Sequence, residues 1–225
     1  MYKFDTTTPI TAILDIPAGR IQVIAADRAD TTVQIRPADT AKARDVKAAA
    51  QTTVEYTDGV LQIDGTPAKS RILGNSGSVE VTIQLPAGSH IHANAAAAEF
   101  RGVGRLGDLT LDGAYGTHDA VKIDEAADIH LSAHAGNIQI GRLTGPAQIT
   151  TGKGDIHITE ATHGTVVLNT HTGDLTIATT HGTSATLNAD TTHGRITNTL
   201  KNTEGTTDLT IHATTSHGNI TAHSL

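Results

Sequence analysis

No cysteine and no tryptophan occur in the 225 residues, and the other aromatics amount to two Phe and three Tyr. Without thiols the chain forms no disulfide and offers no thiolate nucleophile or sulfur ligand. The lack of cysteine suits a reducing compartment. With so few aromatics the core must be aliphatic, which is poor for an ordinary globule but adequate for a thin, layered one. No apolar run approaches the roughly 18 residues of a membrane helix. The stretch from Met1 to Pro9 holds no basic segment followed by an apolar one. The expectation is a cytoplasmic chain with no membrane insertion. Lys and Arg number 16 against 23 Asp and Glu, a net charge of −7. That balance argues against nucleic acid as a partner, because phosphate binding needs the opposite sign. Glycine-rich phosphate loops, cysteine pairs and zinc-protease motifs are also missing. A Ser-His-Asp spacing is missing too, although the members of a triad need not be near in sequence.

What the sequence does have is one phrase that returns. It reads His-Ala-Gly-Asn-Ile-Gln-Ile at 134–140, Gly-Lys-Gly-Asp-Ile-His-Ile at 152–158 and His-Thr-Gly-Asp-Leu-Thr-Ile at 171–177. It recurs as Thr-His-Gly-Arg-Ile-Thr-Asn at 192–198 and Ser-His-Gly-Asn-Ile-Thr-Ala at 216–222. The anchor glycines are Gly136, Gly154, Gly173, Gly194 and Gly218, with spacings of 18, 19, 21 and 24 residues. Repeats of this length indicate stacked coils that bury their apolar side against their neighbours. Two and four residues after each anchor come pairs such as Ile138 and Ile140, Ile156 and Ile158, or Leu175 and Ile177. Seven and five before it come Ile129 and Leu131, Val166 and Leu168, or Ile211 and Ala213. Both patterns alternate with the period of a strand that has one face in. Each coil therefore holds two short strands around a glycine turn, and stacked coils make two parallel sheets at about 4.8 Å spacing. The reading is an all-β, right-handed parallel β-solenoid, the hand taken by analogy with other parallel crossovers.

Residues 1–88 carry a different pattern and are expected to cap the repeat. Ile10, Ala12 and Leu14 alternate, as do Ile21 and Val23, then Val33 and Ile35. Ala43, Val46 and Ala50 fall at helical spacing and predict one helix near 40–52, with Asp39 and Thr40 placed to cap it. Thr57-Asp58-Gly59 reads as a hairpin turn, and 65–77 as a loop. The solenoid is expected over 89–225. Its first two anchors are degenerate, Ala96 and Asp119, which makes about seven coils spanning about 30 Å.

The residues Gln51-Thr-Thr-Val-Glu-Tyr56, Val81-Thr-Ile-Gln-Leu-Pro-Ala-Gly88, Gly104-Arg-Leu-Gly107 and the Gly-Asp-Ile/Leu phrases at 154–156 and 173–175 resemble a bacterial family. It is the uncharacterised β-strand-repeat family named "putative adhesin", and the resemblance covers most of the chain. It implies a right-handed β-solenoid and no established activity.

Asp155, Asp174 and Arg195 follow the anchor glycine in three successive phrases and are expected to stack as a surface row. Solenoid polysaccharide lyases use rows of this kind. An Asx residue after glycine also serves simply to bond the turn backbone, as Asn137 and Asn219 do equally well. Thirteen histidines are present. His193 and His217 precede their anchors, and His163 and His181 precede Gly164 and Gly182, so each pair is expected to stack at about 5 Å. His118, His130, His134, His157, His171, His212 and His223 spread over several coil positions. Two ligands do not make a metal site, so no metal, cofactor or catalytic residue is assigned. Thr150, Thr151, Thr170, Thr172, Thr191, Thr192, Thr214 and Thr215 cluster near turns. They do not form the unbroken Thr-x-Thr register of an ice-binding face.

These features favour a non-enzymatic scaffold or binding protein with an unknown protein or polysaccharide partner. The alternative is a carbohydrate-active solenoid, lyase or lectin-like, using the Asp155, Asp174 and Arg195 row. The phrase at 216–222 is followed by no helix, proline or charge run, so homo-oligomers through the C-terminal coil are expected. Residues 105–225 hold 6 Lys and Arg, 12 Asp and Glu and 11 His, giving −6 with neutral histidines and +5 with all protonated. Since histidine titrates between about pH 5 and 8, the repeat region should reverse its electrophoretic direction on mild acidification. Mobility that is still anodic at about pH 5 would contradict this.

Overall fold

The computed structural model describes residues 1–65, 77–113, 120–202 and 206–225. The expected anchor Asp119, His118 and most of the loop at 65–77 lie outside these residues. The fold is all-β, strands with one helix, in a β-solenoid-like arrangement. It divides into two compact units, Met1–Tyr115 and Gly116–Leu225.

Unit 1 begins with β1 (Tyr2–Asp5), β2 (Thr11–Asp15), β3 (Ala18–Ala26) and β4 (Asp30–Pro37). Helix α1 (Ala43–Gln51) follows, then β5 (Thr53–Thr57), β6 (Val60–Asp64), β7 (Val79–Pro86), β8 (His90–Ala95) and β9 (Ala97–Gly113). β2 with β3, β6 with β7, and β8 with the start of β9 form coils that stack in parallel. The first of these lies between the other two: β2 pairs with β6 and β8, and β3 with β7 and β9. Coil stacking therefore starts at Thr11, within the stretch expected to act as a cap. The covering role belongs to fewer residues. β5 runs antiparallel on β6, β4 antiparallel on β7, β1 lies on β4, and α1 packs against β4.

The hairpin turn is where the sequence put it. Asp58 and Gly59 take φ of 50° and 80° between β5 and β6, the conformation a two-residue hairpin favours. The helix occupies most of the expected stretch, but its buried positions are Asp45 and Ala48 rather than Ala43, Val46 and Ala50. Asp45 is tolerated inside because its carboxylate accepts the Ser78 amide at 3.0 Å, which ties the helix to the start of β7. At the edge, hydrogen bonds from Arg28 and then Lys3 hold the Asp30 carboxyl below its usual pKa. Its stabilising contribution is present at neutral pH and lost as the pH falls through that lowered value.

Unit 2 carries the repeated phrase. Its strands are β10 (Val121–Ala135), β11 (Ile138–Leu143), β12 (Ala147–Lys153), β13 (Ile156–Ala161) and β14 (Gly164–Thr172). They continue as β15 (Leu175–Thr179), β16 (Ala185–His193), β17 (Ile196–Thr199), β18 (Leu209–His217) and β19 (Ile220–Ser224). One parallel ladder runs from the first half of β10 through β11, β13, β15 and β19 to β17. The other runs from the second half of β10 through β12, β14 and β18 to β16. The core lies between them. Ile129, Leu131, Ile138, Ile140, Ile149, Ile156, Ile158, Val166, Leu168, Leu175 and Ile177 are all buried, as the alternation requires. Each such side chain contributes about 1.5–3 kcal/mol.

The order of coils departs from the order of the sequence. The coil β18–β19 inserts between β14–β15 and β16–β17. Both of its edges are paired, so it is not the open end expected of it. The outermost coil is β16–β17. The anchor spacings are 18 and 19 residues where the chain advances by one coil, 21 where it steps past a coil position and 24 where it comes back by one. A step of two strand spacings spans about 10 Å and needs a longer connector. Asn198 supplies a physical reason for the placement. It occupies an inward position, where an interior coil would bury its amide at a cost of about 1–3 kcal/mol if unpartnered. On the outermost coil it is exposed, and its Oδ1 accepts the Leu200 amide at 3.0 Å.

Ile156 and Ile196 hold the same position after their glycines, yet Ile156 is 0% exposed and Ile196 44%. Ile156→Asp should yield no soluble folded protein, since an unpaired buried charge costs several kcal/mol. Ile196→Asp should fold with little change in melting temperature. Equal behaviour of the two in a solubility and thermal-melt comparison would contradict this coil order.

Candidate functional site

The glycine turns of unit 2 stack so closely that they leave no room for a side chain. A Cβ on Gly173 would sit 2.0 Å from the Gly154 carbonyl oxygen, and one on Gly218 would sit 2.0 Å from that of Gly173. Gly173 and Gly218 also take φ of 151° and 153°, where L-residues are strained. This turn positions every side chain of the candidate site.

The residue after each glycine forms a ladder. The Asp155 amide donates to Asn137 Oδ1 at 3.0 Å, and the Asp174 amide to Asp155 Oδ1 at 2.8 Å. The Asn219 amide donates to Asp174 Oδ1 at 2.7 Å, and the Arg195 amide to Asn219 Oδ1 at 3.0 Å. The spatial row is thus Asn137, Asp155, Asp174, Asn219, Arg195. Asp155 and Asp174 are neighbours as expected. Arg195 is not next to Asp174, because the inserted coil places Asn219 between them. All five side chains are at the surface, and the carboxylates are engaged by backbone amides of the adjoining coil.

Beside the ladder, three residues after each glycine, runs an outward row of Gln139, His157, Thr176, Thr221 and Thr197, paired strand to strand in that order. Two shallow depressions lie along these rows. One of about 290 Å³ is lined by Asn137, Gln139, Asp155, His157, Asp174 and Thr176. The other, of about 680 Å³, is lined by Asp174, Gly194, Arg195, Thr197, Asn219 and Thr221. Their walls offer amides, hydroxyls, carboxylates and one guanidinium.

Three residues before Gly154, Gly173, Gly194 and Gly218 lies a threonine, whereas Gly136 has Ala133 there. Thr170 Oγ1 donates to the Gly154 carbonyl at 3.2 Å, Thr215 to that of Gly173 at 3.1 Å, and Thr191 to that of Gly218 at 3.0 Å. Thr151, Thr170 and Thr215 are buried. These threonines form an inner ladder that satisfies turn carbonyls, and their shared offset from the glycine was the available signal.

His193 and His217 stack as expected, ring centroids 4.7 Å apart and 5° from parallel. His171 joins them, its ring 6.0 Å from that of His217 and edge-on. His163 and His181 do not form the second pair. His163 bonds Thr162 Oγ1 at 3.0 Å, while His181 leads into β16, which the inserted β18 separates from β14. Among the described residues no three His, Cys, Asp or Glu side chains converge as a metal site would require.

The sequence matches the family model Toastrack DUF4097 over residues 21–224. No curated protein matches it. Among solved structures it is similar to a "putative cell adhesion protein" from Clostridium sporogenes, at 10% identity and a TM-score of 0.41 over 100% of this chain and 99% of that one. A "putative adhesin" from Parabacteroides distasonis shares 14% identity with a TM-score of 0.47, over 98% of this chain and 95% of that one. A "putative lipid binding protein" from the same organism shares 11% identity with a TM-score of 0.45, over the same fractions.

If the carboxylates serve as acceptors for the stack, shape matters more than charge. Asp174→Ala should lower stability by about 1 kcal/mol, the usual net worth of a hydrogen bond. Asp174→Asn, which keeps an acceptor, should stay within about 0.5 kcal/mol of the parent in urea unfolding. Equal losses for both would assign the effect to the negative charge instead.

Proposed function

The chain belongs to the Toastrack DUF4097 family, and from that premise we propose that it is a non-enzymatic scaffold that binds an extended polar polymer along its outer rows. The supporting observation is the ladder from Asn137 to Arg195. Its carboxylates accept amides of the neighbouring coil, at 2.8 Å for Asp155 and 2.7 Å for Asp174. A general base needs a lone pair aimed at the substrate and a partner converging on the same atom. Asp174 and Arg195 stand two strand positions apart, about 10 Å, which favours binding over a lyase mechanism. The two rows present hydrogen-bonding groups repeated at about 4.8 Å over five strands, a periodicity that suits a polymer lying across the coils. The hydroxyl- and amide-rich walls make a polysaccharide the fitting class of ligand.

The test pairs catalysis with binding. Incubation with neutral and uronate polysaccharides should give no new reducing ends and no unsaturated products. Retention on a polysaccharide matrix should fall for the double variant Thr176→Arg and Thr221→Arg, whose outward positions leave the core intact. Turnover that Asp174→Asn abolishes would overturn the reading, as would retention unaffected by the double variant.

A further inference from the structure

Strands β16 and β17 form the one coil of unit 2 whose outer edge has no strand on it among the described residues. β16 pairs with β18 and β17 with β19, each on one side. The connector after β17 reaches the first residue of β16, where the Ala185 amide donates to the Lys201 carbonyl at 3.3 Å. Beyond that point the inward side chains look out of the stack: Leu187 and Ala189 are half-buried and Ile196 is exposed. Their counterparts one coil inward, Ile211, Ala213 and Ile220, are buried.

Unit 1 shows what the chain does with such an edge when it protects it. The coil β6–β7 is covered by β5 and β4, both antiparallel, and its inward residues Leu61, Ile63, Val81, Ile83 and Leu85 are fully buried. Among the described residues no strand covers β16–β17 in this way. Residues 185–199 contain no proline and no lysine. No charged side chain points inward, and the pairing with β18 and β19 runs without a bulge. These are the devices that proteins use to blunt an open edge.

We propose that the β16–β17 edge is a strand-pairing interface for a second copy of this chain, joined about a two-fold axis. This goes beyond the polymer-binding reading and does not depend on it. Charge favours self-pairing here. Each chain carries −7, yet residues 185–199 hold one Asp and one Arg, a formal charge of zero. Identical strands pairing antiparallel about Ala189 would set Asp190 against Asn188, so no like charges oppose each other. A two-fold contact uses the same edge on both copies and needs no second open edge. The isologous contact therefore closes at two copies. It is small. Two strand ends about 30 Å long and about 10 Å deep cover roughly 300–400 Å² per partner, under half of a standard interface. The dimer is accordingly weak and reversible, with dissociation in the micromolar range or above.

Sedimentation of the full chain from about 1 to 500 μM, the range set by so small an interface, should show a monomer–dimer equilibrium that stops at two. Ala189→Lys with Asn198→Lys, which aims charges out of the open coil, should leave the circular dichroism and melting temperature near the parent values. The same double variant should move the dimerisation midpoint up at least tenfold. The chain has no cysteine, so Ala189→Cys gives a single thiol, and mild oxidation should trap a covalent dimer. Thr82→Cys, on an outward position of β7, should not trap one. A strict monomer at the highest concentration, growth beyond the dimer, or a dimer indifferent to the lysine pair would each overturn the proposal.

Discussion

The close approach of glycine to glycine is the constraint on which unit 2 depends. Each anchor carbonyl lies where the next glycine's Cβ would be, 1.8–2.2 Å from it for Gly154, Gly173, Gly194 and Gly218. Contact at that range admits no other residue without moving backbone. It also locks register. Once the turns are superposed, the residue after the glycine must lie over its counterpart, and so must the residue three before. The outer Asx ladder and the inner threonine ladder are two consequences of one stacking geometry. Both return hydrogen bonds to the turn that aligned them.

This arrangement bears on function through what it leaves over. Asp155 and Asp174 resemble a catalytic row when read along the sequence. In the structure they act as acceptors for backbone, a role Asn137 and Asn219 fill with neutral amides. A position that tolerates Asn, Asp and Arg in one molecule is selected for reach and turn geometry more than for ionisation. The neighbouring row of Gln139, His157, Thr176, Thr221 and Thr197 makes no such structural bonds to the turns, and its chemistry remains available to a ligand.

The cross-section of a coil was legible in the sequence, and the order of coils was not. Alternation about the anchors identified Ile138, Ile140, Ile156, Ile158, Leu175 and Ile177 as buried, and all six are. The Asp58-Gly59 turn and the place of the helix were equally local and equally readable. Stacking order is different in kind. Every coil presents nearly the same two edges, so periodicity says what a neighbour looks like and not which segment it is. The cues lay in the exceptions: the spacings of 21 and 24 residues and the polar Asn198 at an inward position. In unit 1 the coil β2–β3 carries the same phrase, Gly19-Arg-Ile-Gln-Val23 after Ala12 and Leu14, but a single copy far from the run at 134–222 does not stand out as a repeat. The helix face was misread because Asp45 is held inside by the Ser78 amide rather than by apolar contact. The inner threonines were passed over because threonine is an ordinary surface strand residue.

The inserted coil has a consequence for how the molecule is made. A ribosome delivers residues 185–199 before 209–224, so while synthesis is in progress the coil that will end outermost emerges without its future neighbour. The edge of β14 and β15 stays open, or is occupied out of turn, until residues 209–224 take their place on it. The stacking order of unit 2 is therefore not the order in which its coils are made. A chain that stops short of residue 209 lacks an interior layer rather than an outer one.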